Sequence, residues 1–167
     1  LSLMDATPLA REGAESLQRE FLIRKALYQA MANSGFYLLY QPLLDLTTGR
    51  VASAEALLRI KNSQFGPADF IRVAEATGNI GTVGEVALSL ASAFRQVIHK
   101  THPHINLAVN VSAAQLGTAS FTAALRRLPQ SSGHALELEI TESLVAEAAA
   151  LQHLDQLAEQ GHPLAMD

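Results

Sequence analysis

Ala54-Glu55-Ala56-Leu57-Leu58-Arg59 carries an acid and a base inside a run that is otherwise apolar. Side chains alternate along a strand, so Glu55, Leu57 and Arg59 point one way and Ala54, Ala56 and Leu58 the other. Burying an unpaired carboxylate costs several kcal/mol, so Glu55 requires a cation. Two readings stay open on this segment alone: an ion pair with Arg59, or a metal or substrate site.

Segments further along repeat the theme. Asn110 closes the apolar run Ile105-Asn-Leu-Ala-Val-Asn-Val-Ser112, Glu139 nearly closes Leu136-Glu-Leu-Glu-Ile-Thr-Glu142, and Asp167 follows Pro163-Leu-Ala-Met. Each run is separated from the next by a helix-like segment. An α/β barrel keeps its chemistry at the carboxyl ends of such parallel strands. Three carboxylates and an amide form a hard-oxygen set suited to Mg²⁺ or Mn²⁺.

The ordered series of motifs resembles the EAL domain family, the bacterial cyclic di-GMP phosphodiesterases. It comprises Tyr40-Gln41-Pro42, Asp45-Leu-Thr-Thr-Gly49-Arg50, Ala54-Glu-Ala-Leu-Leu-Arg59, Phe70-Ile71, Ala74-Glu75, Val109-Asn-Val-Ser112 with Gln115-Leu116, and Leu136-Glu-Leu-Glu-Ile-Thr-Glu-Ser143. The resemblance implies a TIM-like (β/α)₈-type barrel whose first strand is antiparallel to the rest. Such a barrel typically takes about 250 residues, whereas this chain has 167. The expected fold is therefore the amino-terminal part of the barrel, with the last strands missing. Residues 1–15 read as a linker or helix lead-in and 16–167 as the partial domain.

Carried over residue by residue, the resemblance makes Glu55, Asn110, Glu139 and Asp167 the metal ligands. Arg59 and Gln41 are the substrate-side residues, and Leu57 is an apolar wall beside the bound nucleotide. Glu142 positions an active-site loop and counts with Glu55 in the catalytic set. The implied reaction opens one phosphodiester of cyclic di-GMP to give linear pGpG. A phosphodiester is anionic and resists attack, so the site must neutralise it and supply hydroxide near neutral pH, which divalent metals do. Glu137 shares the parity of Glu139 and is expected to pair with a buried base.

Departures from the family pattern shape the expectation. The segment Ile60-Lys-Asn-Ser-Gln-Phe-Gly-Pro67 is short and lacks the customary Trp after the Arg. A second Asp, a later water-activating Lys and a later metal-binding Glu would all lie beyond residue 167. The chain alone is therefore expected to be inactive. A non-catalytic cyclic di-GMP receptor is the alternative, and an interaction scaffold with an emptied pocket a third reading.

Composition bounds the rest. Apolar residues make up 49%, aromatics 5%, and the net charge is −4, which argues against a DNA or RNA polymer as partner. No apolar run approaches the ~20 residues of a membrane span. The absence of Cys rules out disulfides and thiolate metal sites and agrees with a cytoplasmic setting. An upstream GGDEF or sensory domain and a homodimer complete the expected partners.

The local pattern predicts helices over Leu17–Ala32, Pro67–Thr77, Thr82–His99, Phe121–Leu128 and Leu144–Glu159. It predicts strands over Phe36–Leu44 and Val51–Arg59, joined by a turn at Thr47–Arg50. In the third helix Thr82 and Glu85 have capping-box spacing, and Val83, Val86, Leu90, Phe94 and Val97 form the expected buried stripe. The histidines at 99, 102, 104, 134, 153 and 162 read as surface residues.

Overall fold

A computed structural model of the chain describes residues 8–129, 136–140, 148–159 and 161–166. Helix α1 (Pro8–Ala32) leads into the hairpin β1 (Phe36–Leu44) and β2 (Val51–Ile60). Then follow α2 (Pro67–Ala76), α3 (Ile80–Ile98), β3 (Asn106–Val111), α4 (Ala113–Leu116), α5 (Ala119–Arg126), β4 (Glu137–Ile140), α6 (Ala148–Glu159) and β5 (Leu164–Met166). The five strands form one sheet in the order β1-β2-β3-β4-β5. β1 is antiparallel to β2, and the other three pairings are parallel. This is the α/β arrangement expected, an antiparallel strand followed by βα units.

Local hydrogen bonds shape the hairpin turn between β1 and β2. Asp45 Oδ1 accepts from the backbone N–H of Thr47 at 2.7 Å and Thr48 at 3.2 Å, and these bonds hold its carboxyl below the usual carboxylate range. Gly49 takes φ +67°, a left-handed conformation that suits a residue without Cβ. The register shifts once between Leu43 and Leu44, and beyond that irregularity the ladder sets Gln41 opposite Glu55, Leu39 opposite Leu57 and Tyr37 opposite Arg59.

One face of the sheet is covered by helices. Ala54 and Ala56 of β2, Leu107, Val109 and Val111 of β3, and Leu138 and Ile140 of β4 pack with Leu88 and Ala91 of α3, Phe121 and Leu125 of α5, and Leu154 and Leu157 of α6. Tyr40 of β1 joins this side, its ring stacked on Phe94 with centroids 3.8 Å apart. A second cluster, with Ile23, Leu27, Phe36, Ile60, Phe70 and Val83, seals α1 and α2 against the start of α3. Period-two alternation therefore turns Gln41, Glu55, Leu57, Arg59, Asn110 and Glu139 to the uncovered face. That face is open in this chain, and Leu39 on it is 48% exposed.

Several expectations are corrected. Helix α1 already runs from Pro8, ahead of the expected start at Leu17, because Pro is tolerated in a first helical turn and one Gly does not stop a helix. Helix α3 starts at Ile80 with Asn79 as N-cap, so Thr82 lies inside the helix and forms no cap. Its buried face is Ile80, Gly81, Val83, Gly84, Ala87, Leu88, Ala91 and Arg95, whereas Val97 is 65% exposed. The helix packs through its small residues, which allow close approach, as well as along most of the expected stripe: Val83 is buried, and Val86, Leu90 and Phe94 are partly buried against the two clusters. The Leu144 start of the last helix lies outside the described residues.

His162 is also a correction, being buried at 5% exposure. Burial holds its imidazole below the ordinary value of 6.5. A depressed folded-state pKa means the unfolded chain takes up the proton first as pH falls. The stability His162 contributes is thus present above about pH 6.5 and lost as pH falls below it. The melting temperature is expected to drop between pH 7 and pH 5, and His162→Gln to flatten that decline. An unchanged slope in the variant would assign the pH dependence elsewhere.

Candidate functional site

Three neighbouring strands place oxygen donors on the uncovered face. Glu55 lies mid-strand in β2, opposite Ala108 of β3, and Asn110 of β3 lies opposite Glu139 of β4. Glu55 and Glu139 are half-buried, and Asn110 is exposed. Asn110 Nδ2 donates to Glu55 Oε1, so these two expected ligands touch directly. Gln41 is exposed on β1 and paired with Glu55 in the ladder.

The end of β3 explains how Asn110 is held. Immediately after it, Ser112 and Gln115 form a reciprocal capping box: the backbone N–H of Ser112 donates to Gln115 Oε1 at 2.8 Å, and Ser112 Oγ accepts from the N–H of Gln115 at 3.4 Å. Each bond satisfies a group that the start of α4 would otherwise leave unpaired. Gln115 is itself nearly buried. The Ser-x-x-Gln spacing was visible in the sequence, and its effect is to terminate the strand one residue past Asn110, at Val111.

The ion-pair reading of Glu55 is overturned. Residues four apart on a strand lie about 13 Å from one another, beyond the reach of a contact pair. Arg59 Nη1 instead donates to the carbonyl of Leu58 at 2.8 Å. Arg59 and Leu57 line a largely apolar cavity of about 160 Å³ at the end of β2, together with Ile71, Ile80, Val83 and Asn110. Ile71, Ile80 and Val83 carried no sequence signal for such a role, since each looks like ordinary helix core. Glu137 is half-buried on the same face as Glu139. It enters none of the ion pairs among the described residues, which join Arg19 to Asp69, Arg24 to Glu20 and Arg127 to Glu85, so the expected buried base is not found.

Glu142 and Asp167 lie outside the described residues. Among the described residues no three His, Cys, Asp or Glu side chains cluster as a metal site would require; the expected set supplies only Glu55 and Glu139 there, with the Asn110 amide between them. The chemistry of the donors nevertheless fits a hard divalent cation, which prefers carboxylate and amide oxygens. No helix among the described residues is long and apolar enough to cross a membrane.

Comparison with known proteins agrees with this architecture. The chain is 37% identical over 145 residues to the cyclic di-GMP phosphodiesterase PA2567 of Pseudomonas aeruginosa, covering 82% of the chain and 25% of that protein. It is 32% identical over 184 residues to the cyclic di-GMP phosphodiesterase NbdA of the same organism, covering 100% of the chain and 24% of that protein. The chain thus spans about a quarter of the length of these relatives. Among solved structures, the PaMucR phosphodiesterase in complex with c-di-GMP superposes with a TM-score of 0.72 at 34% identity, covering 87% of this chain and 63% of that one. The Xanthomonas citri FimX EAL domain, in complex with c-diGMP, shares the fold with a TM-score of 0.74 at 19% identity, over 92% of this chain and 62% of that one. These folds agree with the partial TIM-like barrel expected from the sequence. The family model described as "EAL domain" matches residues 24–167, nearly all of the strands and helices built above, and the chain belongs to that family.

Proposed function

We propose that residues 16–167 are the amino-terminal part of a cytoplasmic, metal-dependent phosphodiesterase domain that hydrolyses cyclic di-GMP to pGpG. The observation that carries this reading is the alignment of Glu55, Asn110 and Glu139 on one face of three adjacent strands, with Asn110 bonded to Glu55. The names of the relatives supply the substrate class.

Glu55, Asn110 and Glu139, completed by Asp167, would hold Mg²⁺ or Mn²⁺. When bound, the cation supplies charge neutralisation at the phosphate and activation of a water. The chain's own residues do the rest. Arg59 presents a planar fork of N–H donors suited to a phosphate oxygen, and its present partner, a single backbone carbonyl, is readily exchanged. Gln41 offers both a donor and an acceptor to phosphate or base from the neighbouring strand. Leu57 forms an apolar wall at the mouth of the cavity beside Arg59. Glu142 would take the role of positioning an active-site loop that the resemblance implies. With a net charge of −4, the chain depends on Arg59 and the cation to make the site attractive to an anionic dinucleotide. An upstream GGDEF or sensory domain would supply the regulatory input.

The test is chromatographic detection of pGpG from cyclic di-GMP with Mg²⁺ or Mn²⁺. Turnover is expected from the domain extended through its remaining strands, and none from the 167 residues alone. No turnover by a folded, extended domain that still binds the dinucleotide would replace the phosphodiesterase with a receptor.

A further inference from the structure

The connection from α3 to β3 brings two histidines together. His102-Pro103-His104-Ile105 is closed as a turn by the backbone N–H of Ile105, which donates to the His102 carbonyl at 3.2 Å. Pro103 stands second in the turn, where its fixed φ of about −65° is favoured. Ile105 is buried and anchors the turn to the start of β3, while both histidines are exposed. Their ring centroids lie 6.2 Å apart, with the planes tilted by 58°. Zn–N bonds of about 2.0–2.1 Å put two imidazoles that share one cation at centroid separations of roughly 5–6 Å. A small rotation of either ring therefore completes the pair.

A neighbouring side chain orients one of the rings. His102 Nδ1 lies 2.9 Å from Thr101 Oγ1, so Nε2, on the far side of the ring, is turned away from that partner. A metal on Nε2 leaves the imidazole proton on Nδ1, which then donates to Thr101 Oγ1. The threonine hydroxyl donates in turn to the Ile98 carbonyl, 3.3 Å away. Outer partners of this kind orient metal-bound histidines and raise their basicity.

The donors select the metal. Residues 99–105 include no Asp or Glu, so the ligands are neutral nitrogens. Imidazole suits Zn²⁺, Cu²⁺ and Ni²⁺, whereas Mg²⁺ and Mn²⁺ prefer oxygens such as those of Glu55, Asn110 and Glu139. The turn enters β3 at Asn106 and Asn110 lies at the other end of that strand, so the two places are distinct. We propose that His102 and His104 chelate a borderline divalent cation such as Zn²⁺, with water completing its coordination. Because the turn is already closed around Pro103, binding orders little more of the chain.

Long-range ¹H–¹⁵N correlation spectra read each imidazole separately. On titration with ZnCl₂ the ring nitrogens of His102 and His104 are expected to shift together with one dissociation constant, and MgCl₂ to move neither. His102→Gln and His104→Gln are each expected to weaken Zn²⁺ binding at the remaining ring by more than about 10-fold, and Thr101→Val by about 10-fold, the loss typical of an outer partner. Both histidines are exposed, so the substitutions leave the fold intact. Failure of the two rings to shift together at millimolar Zn²⁺ would overturn the proposal. So would an equal response to Mg²⁺, or an affinity at one ring that is indifferent to loss of the other.

Discussion

Gly84→Val is expected to destabilise the chain by at least about 3 kcal/mol, the upper end of ordinary overpacking. A Cβ built on Gly84 falls 2.5 Å from Phe121 Cδ2 and 2.6 Å from Gln115 Nε2, whereas apolar carbons rest about 3.5–4.0 Å apart. Relief would require α3 to move off α5, but Phe121 is fully buried in the main core and Gln115 is held by the capping box that ends β3. The same contact thus couples core packing to the position of Asn110. Ala is favoured over Gly inside a helix by about 1 kcal/mol, so Gly84→Ala should still lose stability. Gly13→Ala in α1, where nothing lies within 4 Å of the added carbon, should gain it. Urea denaturation of the three variants checks this, and a Gly84→Ala midpoint at or above that of the parent would contradict the packing described.

Glu55→Ala is expected to remove divalent-metal binding and, in the extended domain, to lower cyclic di-GMP turnover by more than about 100-fold, the loss seen when even the supporting shell of a metal site is disturbed. Two effects add. The substitution takes away one of the two expected carboxylate ligands among the described residues, and it leaves Asn110 Nδ2 without the oxygen it now donates to. Because Asn110 is exposed, its amide can then turn to water, so the folded state should survive. The expected signature is lost metal affinity at nearly unchanged melting temperature.

The strands were the legible part of the fold. Alternation in Phe36–Leu44 and Val51–Ile60 requires one face to be buried and the Asp45–Gly49 turn marks the hairpin, but counting from the turn would set Gln41 opposite Ala54; the register shift between Leu43 and Leu44, silent in the sequence, is what brings it opposite Glu55. Helix faces were less legible. The pattern in α3 favoured Val86, Leu90, Phe94 and Val97 because large residues dominate any reading of periodicity. Of that stripe only Val97 is exposed, but the helix also buries Gly81, Gly84, Ala87 and Ala91, and small residues are silent until the neighbouring helix is known. His162 was read as a surface residue for a related reason: after Gly161 it follows a turn, and nothing local reveals that it folds inward.

The oxygen donors of the candidate site were legible from the strand pattern, and their roles only through the resemblance. Parity alone puts Glu55, Asn110 and Glu139 on one face each, but it cannot say that the three strands are neighbours or that they align in register. Read locally, Glu55 had Arg59 for a partner, and only the length of a strand step excludes that pair. The cavity beside Arg59 is built from α2 and α3 as much as from β2, so no single segment announces it.

The most direct test of the metal-binding face is Mn²⁺ titration followed by the electron paramagnetic resonance signal of the free ion. Parent, Glu55→Ala and Glu139→Ala would be compared in the extended domain. The account predicts Mn²⁺ uptake by the parent and its loss in both variants, each still folded by circular dichroism. Equal uptake by all three would contradict it and place the metal away from the face that Glu55, Asn110 and Glu139 share.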